Sequence, residues 1–67
     1  MSSVARVIEI SAQSSKSFED AIDKGLARAE KTLRNVTSAW VKEQRLDVKK
    51  GKVTGYQVNL LVTFILD

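Results

Sequence analysis

The sequence contains no cysteine and no histidine, and each absence closes a route. Without them there is neither a disulfide framework nor a Cys/His zinc site. The commonest general base and the strongest nucleophile are missing as well, which argues against an enzyme. No apolar run approaches the roughly 20 residues of a membrane span, and no signal-peptide pattern opens the chain. The expected compartment is therefore the cytoplasm, with no membrane partner. Charge of one sign is also scarce: eleven Lys+Arg stand against eight Asp+Glu, for a net +3 and a pI near 9.5. The charges are interleaved rather than massed, and only Lys49, Lys50 and Lys52 cluster.

What is present is short. Sixty-seven residues make one domain, spanning 1–67. A chain of this size buries only about 60% of the surface it exposes when unfolded. With disulfides and Cys/His zinc sites excluded, oligomerisation is the remaining way to supplement so small a core. The chain reads as one subunit of a homo-oligomer whose ligand sits between subunits.

Val4 to Ser11 is rich in β-branched residues and predicts a first strand over about 4–11. Ala12 to Ser17 is small and polar and predicts a loop. Ser17 suits an N-cap, because its hydroxyl accepts an orphaned backbone N–H of the first turn. Glu19 and Asp20 follow, at the positive end of the helix dipole. Phe18, Ile22, Leu26, Ala29 and Leu33 recur at helical spacing, with Ala21 and Gly25 beside them, predicting a helix over about 18–34. Lys31 and Arg34 fall in its last turn, and Asp20/Lys24 and Glu30/Arg34 form i,i+4 pairs. Gly25 inside a helix points to close packing against a neighbouring element. After a connection at 35–38, strands are expected over about 39–48 and 53–66, joined by a hairpin turn around Gly51. The fold class is α+β: a single β-α-β-β domain with a curved, three-stranded antiparallel sheet packed on one helix.

The last strand is the most informative segment. Tyr56, Val58, Leu60, Val62, Phe64 and Leu66 are apolar without a break, so this face lies under the helix. Gln57, Asn59, Leu61, Thr63 and Ile65 form the other face, too apolar at Leu61 and Ile65 for water alone. One helix covers only one side of such a sheet, so identical subunits are the economical cover for the second. The middle strand is mixed: strict alternation puts Trp40, Lys42, Gln44, Leu46 and Val48 on one side, with Val41, Glu43, Arg45 and Asp47 on the other.

Trp40, the only tryptophan, reads either as packing at a subunit interface or as a stacking platform for an aromatic ligand. Arg45 and Gln57 are polar groups able to meet a heteroaromatic edge or a phosphate. Glu43 and Asp47 carry oxygens for a hard cation, although a lone strand carboxylate is far more often an ion-pair partner. The three lysines have no aromatics among them, so a nucleic-acid partner is not expected.

Taken together, Arg6–Ile10, Ser17–Ile22, Ala27–Asn35, Val41–Gln44 and Tyr56–Phe64 resemble the dodecin family over essentially the whole chain. The resemblance implies a hollow homododecamer with helices outside and sheets enclosing an inner compartment. It also implies a binding and storage protein that sequesters flavin (riboflavin, FMN or FAD) at subunit interfaces, with photoprotection as one role. In such proteins flavins stack in pairs between tryptophans, with a strand glutamine at the polar ring edge. Gln57 falls on that glutamine, and Arg45 falls where flavin-binding relatives often carry a basic pocket residue. Ser38 stands where the stacking tryptophan is expected. Trp40 lies two residues further along the strand, a shift of about 7 Å. The Ser38–Gln44 run is similar to a branch lacking that tryptophan, some of whose members associate with calcium. The expected cofactor-binding residues are thus Trp40, Arg45, Gln57 and Ser38. The alternative is a dodecameric shell that does not take flavin in the usual way. Its role would then be structural, or sequestration of an ion (calcium or another divalent cation) or small molecule.

Overall fold

The computed structural model describes residues 3–66. The order is β1 (Ala5–Ser14), α1 (Phe18–Thr32), β2 (Val36–Lys49) and β3 (Lys52–Ile65). The three strands form one antiparallel sheet in the order β1-β3-β2, so β3 is central. This is the expected β-α-β-β architecture.

The helix begins as its sequence dictates. The Ser17 hydroxyl accepts from the Asp20 N–H at 2.9 Å, satisfying one of the orphan donors of the first turn. Asp20 is held twice more, accepting from the Ser14 hydroxyl at 2.5 Å and pairing with Lys24 at 3.1 Å. Ser14 in turn accepts from the Lys16 N–H, so the end of β1 is tied to the start of α1. Both the hydrogen bond from Ser14 and that from Lys24 hold the Asp20 carboxyl below the ordinary carboxylate range.

Three boundaries differ by two residues or more from expectation. β1 continues through Ser14, because Ala12, Gln13 and Ser14 still pair with Val58, Gln57 and Tyr56 of the long central strand. The helix ends at Thr32, since Leu33 turns to extended backbone and tucks half-buried against the core. Arg34 is then outside the helix and forms no ion pair with Glu30 among the described residues. The connection to β2 is correspondingly short. Asn35 takes the left-handed conformation (φ 63°), which asparagine tolerates better than most residues, and β2 already pairs at Val36. At the hairpin, Lys50 (φ 53°) as well as Gly51 (φ 77°) has positive φ, the requirement of a two-residue turn that matches strand twist.

Val58, Leu60 and Val62 are fully buried under α1, where they meet Ala21 and Ala29. Gly25 packs where a Cβ would lie 3.1 Å from the Ala12 Cβ and 3.2 Å from Leu60 Cδ1, which explains a glycine that otherwise costs a helix about 1 kcal/mol. The helix rests on β1 and β3, leaving the helix-side row of β2 uncovered beyond Val36, which packs against the core. The molecule measures 53 × 19 × 13 Å, with a radius of gyration of 13.9 Å, against about 11 Å for a compact chain of this length. The extra length is the β2–β3 hairpin running past the helix.

Candidate functional site on the open sheet face

The face turned away from α1 is built from odd-numbered β3 residues and their cross-strand partners. Thr63, Leu61, Asn59 and Gln57 lie opposite Val7, Glu9, Ser11 and Gln13 on β1. On β2 they lie opposite Ser38, Trp40, Glu43 and Arg45. Cross-strand partners point to the same side, so Ser38, Trp40, Arg45 and Gln57 all belong to this face.

That placement corrects the expected alternation of β2, which set Trp40 and Arg45 on opposite sides. The register shifts between Val41 and Glu43. A bulge at Lys42 inserts one residue, and a one-residue insertion exchanges the faces of everything beyond it. Trp40 and Arg45 are thereby brought to one side, while Gln44 and Leu46 turn to the helix side. The same shift frees Lys42 to reach over the central strand and pair with Glu9 at 3.1 Å.

The Lys42–Glu9 pair crosses the face near Leu61 and divides it. On one side lies a polar cluster centred on Gln57. Its carbonyl oxygen accepts from Gln13 Nε2 at 3.0 Å and from Arg45 Nη2. Its amide donates to the Ser11 hydroxyl at 3.1 Å and, at 3.4 Å, to Asn59 Oδ1. Asn59 donates to Glu43 at 3.3 Å, and Arg45 Nε stands 3.7 Å from Asp47. Glu43, Arg45, Gln57 and Asn59 line a hollow of about 310 Å³. On the other side lie Val7, Leu61, Thr63 and Ser38, with Trp40 70% exposed.

Within one chain these two halves do not converge. Trp40 faces Leu61, four residues from Gln57 along β3, or about 13 Å. Stacking needs ring centroids roughly 4.5–7 Å apart, so the indole and the Gln57 amide of one chain stand further apart than a stacking contact spans.

The open-face carboxylates are engaged: Glu9 with Lys42, Glu43 with Asn59, Asp47 with Arg45. Among the described residues no group of three or more acidic side chains is placed to hold a metal; Asp67 lies outside them. Lys49 and Lys52 pair across the hairpin end with Lys50 in the turn, far from the Gln57 cluster. No helix of the described residues is long and apolar enough to cross a membrane.

Two contributors escaped the sequence reading. Gln13 was expected in a loop and Ser11 at a strand end, yet both bind Gln57. The signal was present in Ile8, Ile10 and Ala12, whose period-2 run continues into the supposed loop and turns Ser11 and Gln13 to the opposite face.

Comparison with known proteins agrees with this architecture. A family model described as Dodecin matches residues 4–67. The dodecin of Thermus thermophilus is 40% identical over 67 residues, covering 100% of this chain and 97% of that protein. A crystal structure of a tryptophan variant of T. thermophilus dodecin is 39% identical, with a TM-score of 0.91 over 98% of each chain. Dodecin from Streptomyces davaonensis is 33% identical, with a TM-score of 0.92 over 100% of this chain and 98% of that one. A Mycobacterium tuberculosis protein, described as a calcium-chelating antigen and calcium dodecin with a novel calcium-binding site, is 33% identical. Its TM-score is 0.82, with 97% of this chain and 93% of that one covered.

Proposed function

The chain belongs to the dodecin family, and we propose that it forms a homododecameric shell in the cytoplasm that sequesters flavin between subunits without catalysing a reaction. The observation that carries this reading is an exposed indole on the same uncovered face as an oriented glutamine. Trp40 supplies a flat stacking surface. Gln57, steadied by Gln13, Arg45 and Ser11, offers an amide donor to the polar edge of a flavin ring. Its weakest bond, to Asn59 at 3.4 Å, is the one a ring edge would displace. Arg45 adds a cation for a ring oxygen or a phosphate. Ser38, small and on the same face as Trp40, leaves room beside the indole. The 13 Å separation argued above requires the ring to draw these groups from different subunits. A shell whose sheet faces meet provides that arrangement.

Titration of riboflavin or FMN with the apo-protein tests the reading. Flavin emission is expected to fall on binding, and Trp40→Ala and Gln57→Ala are expected to restore it. Undiminished emission at micromolar wild-type protein rules flavin out.

The calcium-binding relative supports a second reading, a shell holding a divalent cation. Here the open-face carboxylates already have partners, so a cation site would have to combine acids from several subunits. Metal analysis after gel filtration separates the two: a bound divalent ion, with assembly sensitive to chelator, favours the second.

A further inference from the structure

The polar cluster on the open face has a direction. Gln57 is flanked by its direct cross-strand partners, Gln13 on β1 and Arg45 on β2. A guanidinium can only donate, so the Gln57 atom beside Arg45 is the carbonyl oxygen. Gln13 donates to that same oxygen at 3.0 Å, which fills both of its lone pairs. Of the two N–H groups on the Gln57 amide, one goes to Ser11 at 3.1 Å and the other to Asn59 at 3.4 Å. At the far end stands Glu43, whose carboxylate can only accept. The Asn59 atom facing it is therefore the amide nitrogen, at 3.3 Å, and the Asn59 oxygen is left turned toward Gln57. Donors thus run one way, from Arg45 through Gln57 and Asn59 to Glu43, and a charge at each end fixes how the amides lie.

The weak point of this run is the Gln57–Asn59 bond, the longest in it and near the limit of a hydrogen bond. Both amides line the hollow of about 310 Å³ together with Glu43 and Arg45. A ring edge entering at that bond meets an N–H of Gln57 beside a carbonyl oxygen of Asn59. Its complement is a ring carbonyl next to a ring N–H.

Resting on the flavin reading above, we propose that Asn59 is a binding residue of this site. It accepts from a ring N–H while Gln57 donates to the neighbouring ring carbonyl. Glu43 is a positioning residue, acting through the Asn59 amide and not on the ring. The ligand class selected is a heteroaromatic ring with an imide-type edge, which a flavin carries and its N-methylated analogue lacks. A ring without that N–H leaves the Asn59 oxygen unpaired in the filled site, which is how such a pair discriminates.

Fluorescence titration with riboflavin and with 3-methylriboflavin, in which a methyl group replaces the ring N–H hydrogen, provides the test. Wild-type protein is expected to bind riboflavin about 2- to 10-fold more tightly, the worth of one hydrogen bond. Asn59→Leu is expected to abolish that preference. Glu43→Lys is expected to abolish it too, since a neighbour that only donates turns the Asn59 amide round. Glu43→Gln still offers Asn59 an oxygen and is expected to retain it. The preference is a ratio of two affinities, so a merely structural loss of binding leaves it unmoved. Far-UV circular dichroism establishes folding; should Asn59→Leu unfold, Glu43→Lys at an exposed position carries the test. A wild-type preference below about twofold, or one that survives in folded Asn59→Leu or Glu43→Lys, overturns the role of Asn59. Riboflavin emission undiminished by wild-type protein overturns the flavin reading itself, and this assignment with it.

Discussion

The two faces of one sheet are finished in different ways. On the helix side, Val58, Leu60 and Val62 are wholly buried, with Ala21 and Ala29 of the same chain above them. On the open side, β3 is only half-buried, and its neighbours Trp40 and Val7 are exposed. The first face is apolar at every second position of β3, and one helix covers it over β1 and β3. The second mixes Leu61 and Ile65 with Gln57 and Asn59, a composition suited neither to bulk water nor to a dry core. A chain this small has one helix to lay on its sheet, and the face turned away from that helix stays open.

Substitutions can break or sharpen this contrast. Leu60→Ala on the closed face removes a fully buried side chain and is expected to cost about 2–5 kcal/mol in urea unfolding. A loss no greater than that of an exposed substitution would erase the distinction between the faces. Gly25→Val places a branched side chain into the contact with Ala12 and Leu60, with an expected cost of about 1–3 kcal/mol from overpacking, read by the same measurement. Trp40→Ala on the open face is expected to change unfolding by no more than about 0.5 kcal/mol, while abolishing flavin quenching. A large stability loss with quenching intact would make Trp40 a packing residue instead.

The smallest expected effect concerns the latch between β1 and α1. Asp20 is held below its ordinary pKa in the folded chain by Ser14 and Lys24. A depressed folded value contributes stability that is present above the unfolded pKa and is lost as pH falls through the folded one. Asp20→Asn is therefore expected to flatten the acid limb of the stability curve below about pH 4, where carboxylates titrate, leaving the curve near neutrality with a uniform offset. An unchanged acid limb would show that the latch does not couple to folding.

Much of this was legible along the chain. The N-cap at Ser17, the apolar helix stripe, the unbroken even positions of β3 and the tight fit implied by Gly25 are local patterns with one physical solution each. The Gln57 cluster was less so, because Ser11 and Gln13 look like loop residues until a 14-residue partner strand is long enough to pair them. Glu30 and Arg34 looked like a helical pair, but the helix stops at Thr32 where Leu33 finds more to gain by turning inward.

Along the chain itself, the residues fix the element order and the face of β3 that meets the helix. Both follow from residue periodicity. Tertiary structure alone decided that Trp40, Arg45 and Gln57 share a face. That outcome depends on the bulge at Lys42, which depends on how a 14-residue strand follows its twisted partner. Alternation counted along β2 cannot see an inserted residue, since a bulge is a property of two strands and not of one.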